Sequence, residues 1–360
     1  MRTDSDLETK IRVKFMARPE ARIWRHQLPD EAPVWSNCEF IFDNEERNYD
    51  WLVVYDDLPP AENERRSLRT ESLACPRQNT ILVTSEPSSI KSYFTDFTDQ
   101  FGAVLTSQPA WALPHDNRIF QQPALQWFYG VGSSSEISFS DMQKSVLSEK
   151  TEMVSIVGSS KQQTHTLHAL RFQFINHIRS NIPGLKVFGR EDTPMDDKAE
   201  AVKPFRFHIA VENHYSEHHW TEKLADAFLG EAVPVYVGCP NVASYFPTES
   251  FITLDINDPD AAISTINNLT EDEYLRRLPA VLEAKRRVLF EYNLFAVLAK
   301  QISASTDHSQ KEVQESDVIA SRRAQIKRDV FAGLRHLYQK SRLRLLHRFI
   351  DRDLLSQLKT

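Results

Sequence analysis

Short apolar runs alternate with segments of helical periodicity over both halves of this 360-residue chain. The apolar runs are continuous and rich in Val, Ile and Leu, which is typical of parallel strands that are covered on both faces. Strands are predicted at residues 49–57, 80–86 and 103–107 in the first half and at 153–160, 185–189, 205–213, 233–238 and 251–256 in the second. Their alternation with helices predicts an α/β fold built from βαβ units.

Helices are predicted between these strands, most clearly at residues 165–181 and 221–230. The first places apolar residues at three- and four-residue intervals, and the second ends at Gly230, a residue type that commonly stops a helix. A Gly- and Ser-rich stretch at 129–145 places a domain boundary near residue 148. We therefore expect two Rossmann-like domains, residues 1–148 and 149–303, and a C-terminal part, residues 304–360, that begins with a polar spacer.

Composition limits the class of protein. A hydrophobic content of 41% is enough for two cores, and Cys38, Cys75 and Cys239 are too far apart for a disulfide framework or a zinc site. The N-terminus has no apolar signal region, and no apolar run approaches the length of a membrane span. The sequence thus predicts a cytoplasmic protein in a reducing compartment.

Charge is distributed unevenly along the chain. Residues 321–360 contain eleven Lys/Arg and three Asp/Glu, whereas the chain as a whole has a net charge of −7. Apolar residues recur at helical spacing in this tail, with arginines between them, which is the pattern of a basic amphipathic helix. Such a helix either contacts an anionic membrane surface or packs its apolar stripe on the globular body. Nucleic acid is not expected as a partner because the rest of the chain is acidic and has no recognition motif.

The most informative segment is residues 205–251, FRFHIAVENHYSEHHWTEKLADAFLGEAVPVYVGCPNVASYFPTESF. Glu212 and Asn213 close its first strand, and Glu222 and Lys223 open the following helix behind Thr221. Charged residues at the meeting of strand ends and helix starts mark the usual ligand position of an open α/β sheet. A lysine in the first turn of a helix favours an anion such as a diphosphate.

The ordered set HIAVEN, TEKLADAFLG, AVPVYVGCPN and FPTESFI resembles the donor half of the α1,3-fucosyltransferase family. The resemblance implies a GT-B arrangement, in which two Rossmann-like domains face each other across a cleft. It also implies inverting transfer of L-fucose from GDP-fucose, in α1,3 or α1,4 linkage, to an acceptor oligosaccharide or glycoconjugate. No cofactor and no metal are expected. The sequence differs from the family pattern at His219-Trp220, where the family has Tyr-Val.

The resemblance assigns roles to individual residues of this chain. Arg171 and Lys223 are expected to bind the donor phosphates, and Glu222, Glu212 and Asn213 to hold the rest of the nucleotide sugar. His219 stands where the family has a tyrosine that lies against the nucleotide, so it is expected to replace that contact.

Glu86, at the end of a predicted strand in the first half, is the expected catalytic base, with Asp56 and Asp57 in reserve. Two alternatives stay open: transfer from a different nucleotide sugar, and non-catalytic binding of a nucleotide or glycan. The adjacent histidines of residues 214–219 have no carboxylate partner at metal-ligand spacing, so a catalytic metal is not expected.

Overall fold

A computed structural model of the chain describes residues 10–133, 136–144, 149–158, 168–189, 192–305 and 317–357. The chain forms two compact units, and each unit takes residues from two parts of the sequence. The first unit comprises Met1–Pro123 and Leu294–Leu345, and the second comprises Ala124–Asn293 and Leu346–Thr360.

The first unit contains a seven-stranded sheet in which every neighbouring pair is parallel except β2 and β3. The seven strands are β1 (Ile11–Met16), β2 (Val34–Trp35), β3 (Cys38–Ile41), β4 (Trp51–Tyr55), β6 (Thr80–Val83), β7 (Ala103–Thr106) and β8 (Arg118–Phe120). Strand β5 (Thr70–Ser72) lies outside this sheet. The order across the sheet is β2-β3-β1-β4-β6-β7-β8. Two short helices, α1 (Ala21–Arg25) and α2 (Thr95–Thr98), lie in the connections.

The second unit contains a five-stranded, fully parallel sheet. Its strands are β9 (Glu152–Val157), β10 (Lys186–Phe188), β11 (Phe205–Val211), β12 (Val233–Val237) and β13 (Ile252–Thr253), in the order β10-β9-β11-β12-β13. Its helices are α3 (Phe139–Lys144), α4 (His168–Asn181), α5 (Ala199–Val202), α6 (Glu222–Leu229), α7 (Pro259–Asn267) and α8 (Glu271–Phe290).

The chain then supplies α9 (Leu294–Ser305), β14 (Val318–Ala320), α10 (Arg322–Arg328) and α11 (Val330–Gln357). Strand β14 pairs antiparallel with β5, and its Ile319 is fully buried in the core of the first unit. The C-terminal part is thus not an appendage: from β14 to Leu345 it is built into the first unit.

Strand order reverses once in each parallel sheet. The second unit places β9 between β10 and β11, and the first unit places β1 between β3 and β4. The connections on the two sides of such a strand leave in opposite directions. A crevice therefore opens at the carboxyl ends of β9 and β11, and likewise at those of β1 and β4.

The predicted class of two Rossmann-like α/β units with a C-terminal helical segment is confirmed. Each predicted strand contains a real one, but 251–256 holds only the two residues of β13. The division between units falls at Pro123/Ala124 and Asn293/Leu294, rather than near residues 148 and 303. The reason lies in packing: Tyr129 and Phe139 are buried in the second unit, and Phe295 on α9 packs on Phe15 and Phe40 of the first.

The three cysteines are buried and unbridged. Among the described residues, no helix is both long enough and apolar enough to cross a membrane.

Candidate functional site

A cavity of about 240 Å³ lies at the carboxyl ends of β9 and β11, where the strand order of the second unit reverses. The ends of both strands contribute backbone and small side chains to its wall. Its polar and charged lining comes from Arg171, Lys198, His208, Asn213, Glu222 and Lys223. Three cations thus surround one cavity at the position where an open α/β sheet binds its ligand.

The turn between β11 and α6 is held by the buried carboxylate of Glu212. Its Oε1 accepts hydrogen bonds from the backbone N–H of Thr221 at 2.8 Å and from the Thr221 hydroxyl at 2.9 Å. Gly238 makes room for this side chain, because a Cβ at that position would lie only 2.5 Å from Cγ of Glu212. The glycine of the AVPVYVGCPN segment therefore has a steric role beside the site.

Thr221 is the N-cap of α6, and its Oγ1 lies 3.4 Å from the Lys223 backbone nitrogen. The Lys223 ammonium donates to the same Oγ1 at 3.0 Å and lies 3.3 Å from Oε2 of Glu212. Glu212 thus sets the position of Lys223 through direct contact and through the cap. The lysine is held at the helix start, where the backbone N–H groups and the helix dipole also favour an anion.

Glu222 and Lys223 form an ion pair with an Oε1–Nζ distance of 2.8 Å. Burial by itself would raise the pKa of Glu222, but the charges of Lys223 and Lys198 outweigh it and lower that pKa to about 2. Burial likewise opposes ionisation of Lys223, yet Glu222 and Glu212 raise its pKa above the ordinary value. Both groups are therefore charged at neutral pH, which leaves Glu222 an acceptor for hydroxyl groups and Lys223 a cation.

Arg171 projects from the first turn of α4 and is 9% exposed. Its guanidinium contacts Asn213 Oδ1 and the Val157 carbonyl oxygen, each at the long distance of 3.4 Å. Its buried Nε has no hydrogen-bond partner among the described residues. Burial lowers the pKa of Arg171, while Glu212 and Glu222 act against that shift. A buried guanidinium with weak bonds is suited to binding an oxyanion.

Lys198 is a member of the cavity that the sequence did not indicate. It precedes the short helix α5, and its ammonium lies 2.7 Å from Oδ2 of Asp226 on α6. The Asp226 carboxylate also accepts hydrogen bonds from the backbone N–H groups of Phe128 and Tyr129. A single lysine in a polar loop has no periodicity or motif, so only the folded contacts reveal it.

Four of the six expected donor-site residues line the cavity: Arg171, Asn213, Glu222 and Lys223. Glu212 and His219 do not line it. Glu212 is turned towards Thr221, and His219 is 3% exposed and packs edge-on against His214. Glu212 therefore acts on the cavity through Thr221 and Lys223, whereas His219 is a buried packing residue. Trp220, the other departure from the family pattern, is buried among Tyr245, Phe246 and Tyr292.

The expected catalytic base lies in the first unit. Glu86 follows β6 and is half-buried, and its backbone carbonyl accepts a hydrogen bond from Gln108 at 2.8 Å. Asp56, one of the two reserve candidates, follows β4 and contacts Lys91, the Tyr93 hydroxyl and the Ser85 hydroxyl. Burial would raise the pKa of Asp56, but these contacts, Lys91 foremost, lower it. An ion-paired carboxylate of low pKa is a poor proton acceptor.

Fold and site together define an α/β protein with a cation-lined cavity in its second unit. Within the described residues, no group of three or more His, Cys, Asp or Glu is placed to hold a metal ion.

Residues 147–277 match the family described as glycosyltransferase family 10 (fucosyltransferase), C-terminal part. The resemblance to the α1,3-fucosyltransferase family that the sequence predicts is thereby confirmed for the second unit. The matched region contains β9, α4, β11 and α6, which all contribute residues to the cavity.

Two curated relatives match shorter segments. An α-(1,3)-fucosyltransferase of Helicobacter pylori is 34% identical over 74 residues, and a putative fucosyltransferase-like protein of Arabidopsis thaliana is 40% identical over 57 residues. These segments cover 20% and 16% of this chain, and only 16% and 11% of the relatives' own length. A crystal structure of an α1,3-fucosyltransferase with GDP-fucose aligns at a TM-score of 0.45 and 14% identity, covering 84% of this chain and 93% of the other.

Two buried histidines of the second unit should make its stability depend on pH. Burial lowers the pKa of His208 to about 3 and of His219 to about 4, with nearby Lys198 and Lys223 adding to the shifts. An unfolded histidine titrates near about 6.5. Between that pH and about 4 the unfolded chain binds more protons, so the free energy of unfolding falls as the pH falls.

We expect each histidine to contribute a loss of about 1.5 kcal/mol between about pH 6.5 and pH 5. His208→Gln should therefore reduce that pH difference by this amount in chemical denaturation, whatever it does to stability at pH 7. His177→Gln is the control, because His177 lies on the exposed side of α4. An unchanged pH difference in His208→Gln would show that His208 is not buried in its neutral form.

Proposed function

We propose that this protein is an inverting glycosyltransferase that transfers L-fucose from GDP-fucose to a hydroxyl group of an acceptor glycan. The observation that carries the proposal is the cavity at the β9/β11 switch point. It gathers Arg171, Lys198 and Lys223 around one space, inside the segment that matches the fucosyltransferase family. The acceptor hydroxyl is the 3- or 4-hydroxyl of a sugar, which gives an α1,3 or α1,4 linkage.

The cavity residues divide into two roles. Arg171, Lys198 and Lys223 neutralise the diphosphate of the donor, and the same cations stabilise the charge that develops on GDP as it leaves. Because Glu222 stays ionised beside Lys223, it accepts hydrogen bonds from ribose or sugar hydroxyls. Asn213, which contacts Arg171, orients the same ligand. Glu212 is a positioning residue that holds the start of α6, and His219 is a buried packing residue.

In the first unit, Glu86 takes the proton from the attacking hydroxyl group. The carboxylate of Asp56 is already neutralised by Lys91 and the Tyr93 hydroxyl, which favours Glu86 over Asp56. Asp57 stays the second candidate. Burial raises the pKa of its carboxyl, and the hydrogen bonds that its Oδ1 accepts from described residues come from the backbone N–H groups of Leu58 and Arg322. The leaving GDP needs no proton, so one carboxylate suffices.

Arg171→Lys tests the donor site with little change in charge. The lysine keeps one cation but loses the two-pronged guanidinium, so GDP affinity should fall about tenfold. Isothermal titration with GDP measures the loss, and Arg179→Lys on the same helix is the matched control, because Arg179 is half-exposed and paired with Asp192. Equal GDP affinity in both variants would remove Arg171 from the site. Stabilisation of the wild type by UDP, ADP or CMP, but not by GDP, would indicate a different nucleotide sugar.

Glu86→Gln tests the base. The substitution removes the proton acceptor while preserving size, so transfer from GDP-fucose to a panel of small glycan acceptors should fall by at least about 100-fold. GDP affinity should stay at the wild-type value because Glu86 belongs to the other unit. Asp57→Asn is the comparison: a full-rate Glu86→Gln with an inactive Asp57→Asn would transfer the role to Asp57. A wild type that binds GDP but shows no turnover would favour the non-catalytic alternative.

We also propose that α11 brings the protein to an anionic membrane surface. One face of the helix packs on the first unit through Ala332, His336 and Leu343. The opposite face leaves a stripe of apolar side chains exposed: Val330, Phe331, Leu334, Leu337, Tyr338 and Leu345. Lys340 and Arg344 are exposed on the same helix. Apolar side chains with basic neighbours are the features of an interfacial helix.

Serine at Phe331, Leu334 and Leu337 should reduce co-sedimentation with phosphatidylglycerol vesicles at least about tenfold, because three apolar side chains no longer enter the interface. The matched control places serine at Leu68, Leu275 and Leu282, which are exposed leucines outside α11. Equal binding of both triple variants would refute the membrane role of the stripe. Deletion of residues 304–360 is unsuitable because Ile319, in that segment, belongs to the core of the first unit.

A further inference from the structure

The first unit has a cavity of its own, of about 620 Å³, at its own reversal of strand order. Arg18, just beyond the end of β1, lies on one side, and Asp56 and Asp57, just beyond the end of β4, lie on the other. This position corresponds to that of the donor cavity in the second unit. An open parallel sheet binds its ligand at this position.

Positive charge dominates this cavity. Seven cationic side chains line it against the two carboxylates of Asp56 and Asp57: Arg18, Arg65, Arg66, Lys91, Arg322, Arg323 and Lys327. They come from four separate parts of the sequence, three of them before residue 92 and one on α10. The basic C-terminal segment therefore directs part of its charge into a cavity of the first unit.

The two carboxylates do not neutralise these cations. The carboxylate of Asp56 forms an ion pair with Lys91 and accepts a hydrogen bond from the Tyr93 hydroxyl. The carboxylate of Asp57 accepts hydrogen bonds from backbone N–H groups. For five of the cations, no ion pair or hydrogen bond exists within the part of the chain that the structure describes: Arg18, Arg65, Arg66, Arg323 and Lys327. Five uncompensated charges around one cavity repel each other, and a bound anion would relieve that repulsion.

Arg322 is held in place before any ligand arrives. Its Nη2 donates to the Ser92 carbonyl oxygen at 2.9 Å, and its guanidinium lies 5.5 Å from the centre of the Tyr93 ring. Its buried Nε has no partner among the described residues. A guanidinium fixed by the protein loses little freedom on binding an oxyanion, which strengthens the interaction.

We propose that this cavity binds a multiply charged oxyanion, a phosphate ester or diphosphate, and that this group is carried by the acceptor substrate. The assignment to the acceptor rests on the proposed transferase function, whereas the anion site itself does not. A single carboxylate would neutralise one of the five uncompensated cations, whereas a diphosphate offers several charged oxygens to the four arginines among them. The acceptor glycan is thus phosphorylated or linked through a diphosphate.

Titration with inorganic pyrophosphate in saturating GDP tests the anion site, because GDP occupies the donor cavity. The wild type should bind pyrophosphate, and alanine at Arg65, Arg66 and Arg323 should weaken binding at least about tenfold. These three side chains are exposed, so their removal should leave the fold intact. The control has alanine at Arg276, Arg286 and Arg344, which removes the same charge elsewhere. Absence of binding in the wild type, or equal weakening in the control, would overturn the proposal.

A transfer assay tests the assignment to the acceptor. With GDP-fucose as donor, the wild type should have a KM at least about tenfold lower for N-acetylglucosamine 1-phosphate than for N-acetylglucosamine, and the cavity variant should lose that preference. Equal KM values in the wild type would overturn the acceptor assignment. No transfer to any acceptor, with pyrophosphate still bound, would refute the transferase function and leave the anion site. A third outcome would overturn the proposal: the wild type does not bind pyrophosphate, and the cavity variant loses binding to phosphatidylglycerol vesicles. The cations would then be assigned to lipid phosphate instead.

Discussion

The second unit depends on one buried carboxylate, that of Glu212. It follows β11, accepts the backbone N–H of Thr221 and the Thr221 hydroxyl, and lies 3.3 Å from the Lys223 ammonium. Strand end, helix cap and cavity cation are thus joined by one side chain. The cost of burying its charge is offset by these hydrogen bonds, and loss of any of them would leave an unsatisfied charge in the interior. Gly238 is required beside this side chain, because a Cβ there would lie 2.5 Å from Cγ of Glu212 and even closer to the Tyr236 hydroxyl oxygen.

The two units use the same topology for different electrostatic tasks. Each reverses its strand order once and opens a cavity at that point. In the second unit two of the three cations have carboxylate partners, Lys223 with Glu222 and Lys198 with Asp226, so most of the positive charge is already compensated within the protein. In the first unit, Arg18, Arg65, Arg66, Arg323 and Lys327 have no carboxylate partner among the residues that the structure describes. The cavity of the first unit therefore has an excess of positive charge, which favours a ligand with a negative charge.

Local patterns were sufficient to predict the start of α6 and eight of the strands, β4, β6, β7 and β9 to β13, because each depends on neighbours in sequence. The short or edge strands β2, β3, β5, β8 and β14, and the central strand β1, were not predicted. Arg171 could be named because the family resemblance assigns the phosphate contact to an arginine on the helix that follows β9. Lys198 could not, since its partner Asp226 is 28 residues away and only folding brings them together. The sequence also fails to tell a lining residue from a supporting one: Glu212 and Asn213 are adjacent, yet only Asn213 lines the cavity. Direction of a side chain after a strand end depends on the turn that follows.

The basic tail shows why two sequence-based alternatives need not exclude each other. An apolar stripe was expected either to meet a membrane or to pack on the body, and α11 has both features on opposite faces. Leu343 and Ala332 are buried against the first unit, where Arg335 also pairs with Asp96, and Phe331 and Leu337 are exposed. Arg322 and Arg323 on α10 line the cavity of the first unit. The basic residues of the tail therefore lie partly in this cavity and partly on the exposed surface of α11. A helix fixed on one face by the core presents the other face at a defined orientation, so a surface that binds the stripe also orients the unit that carries it.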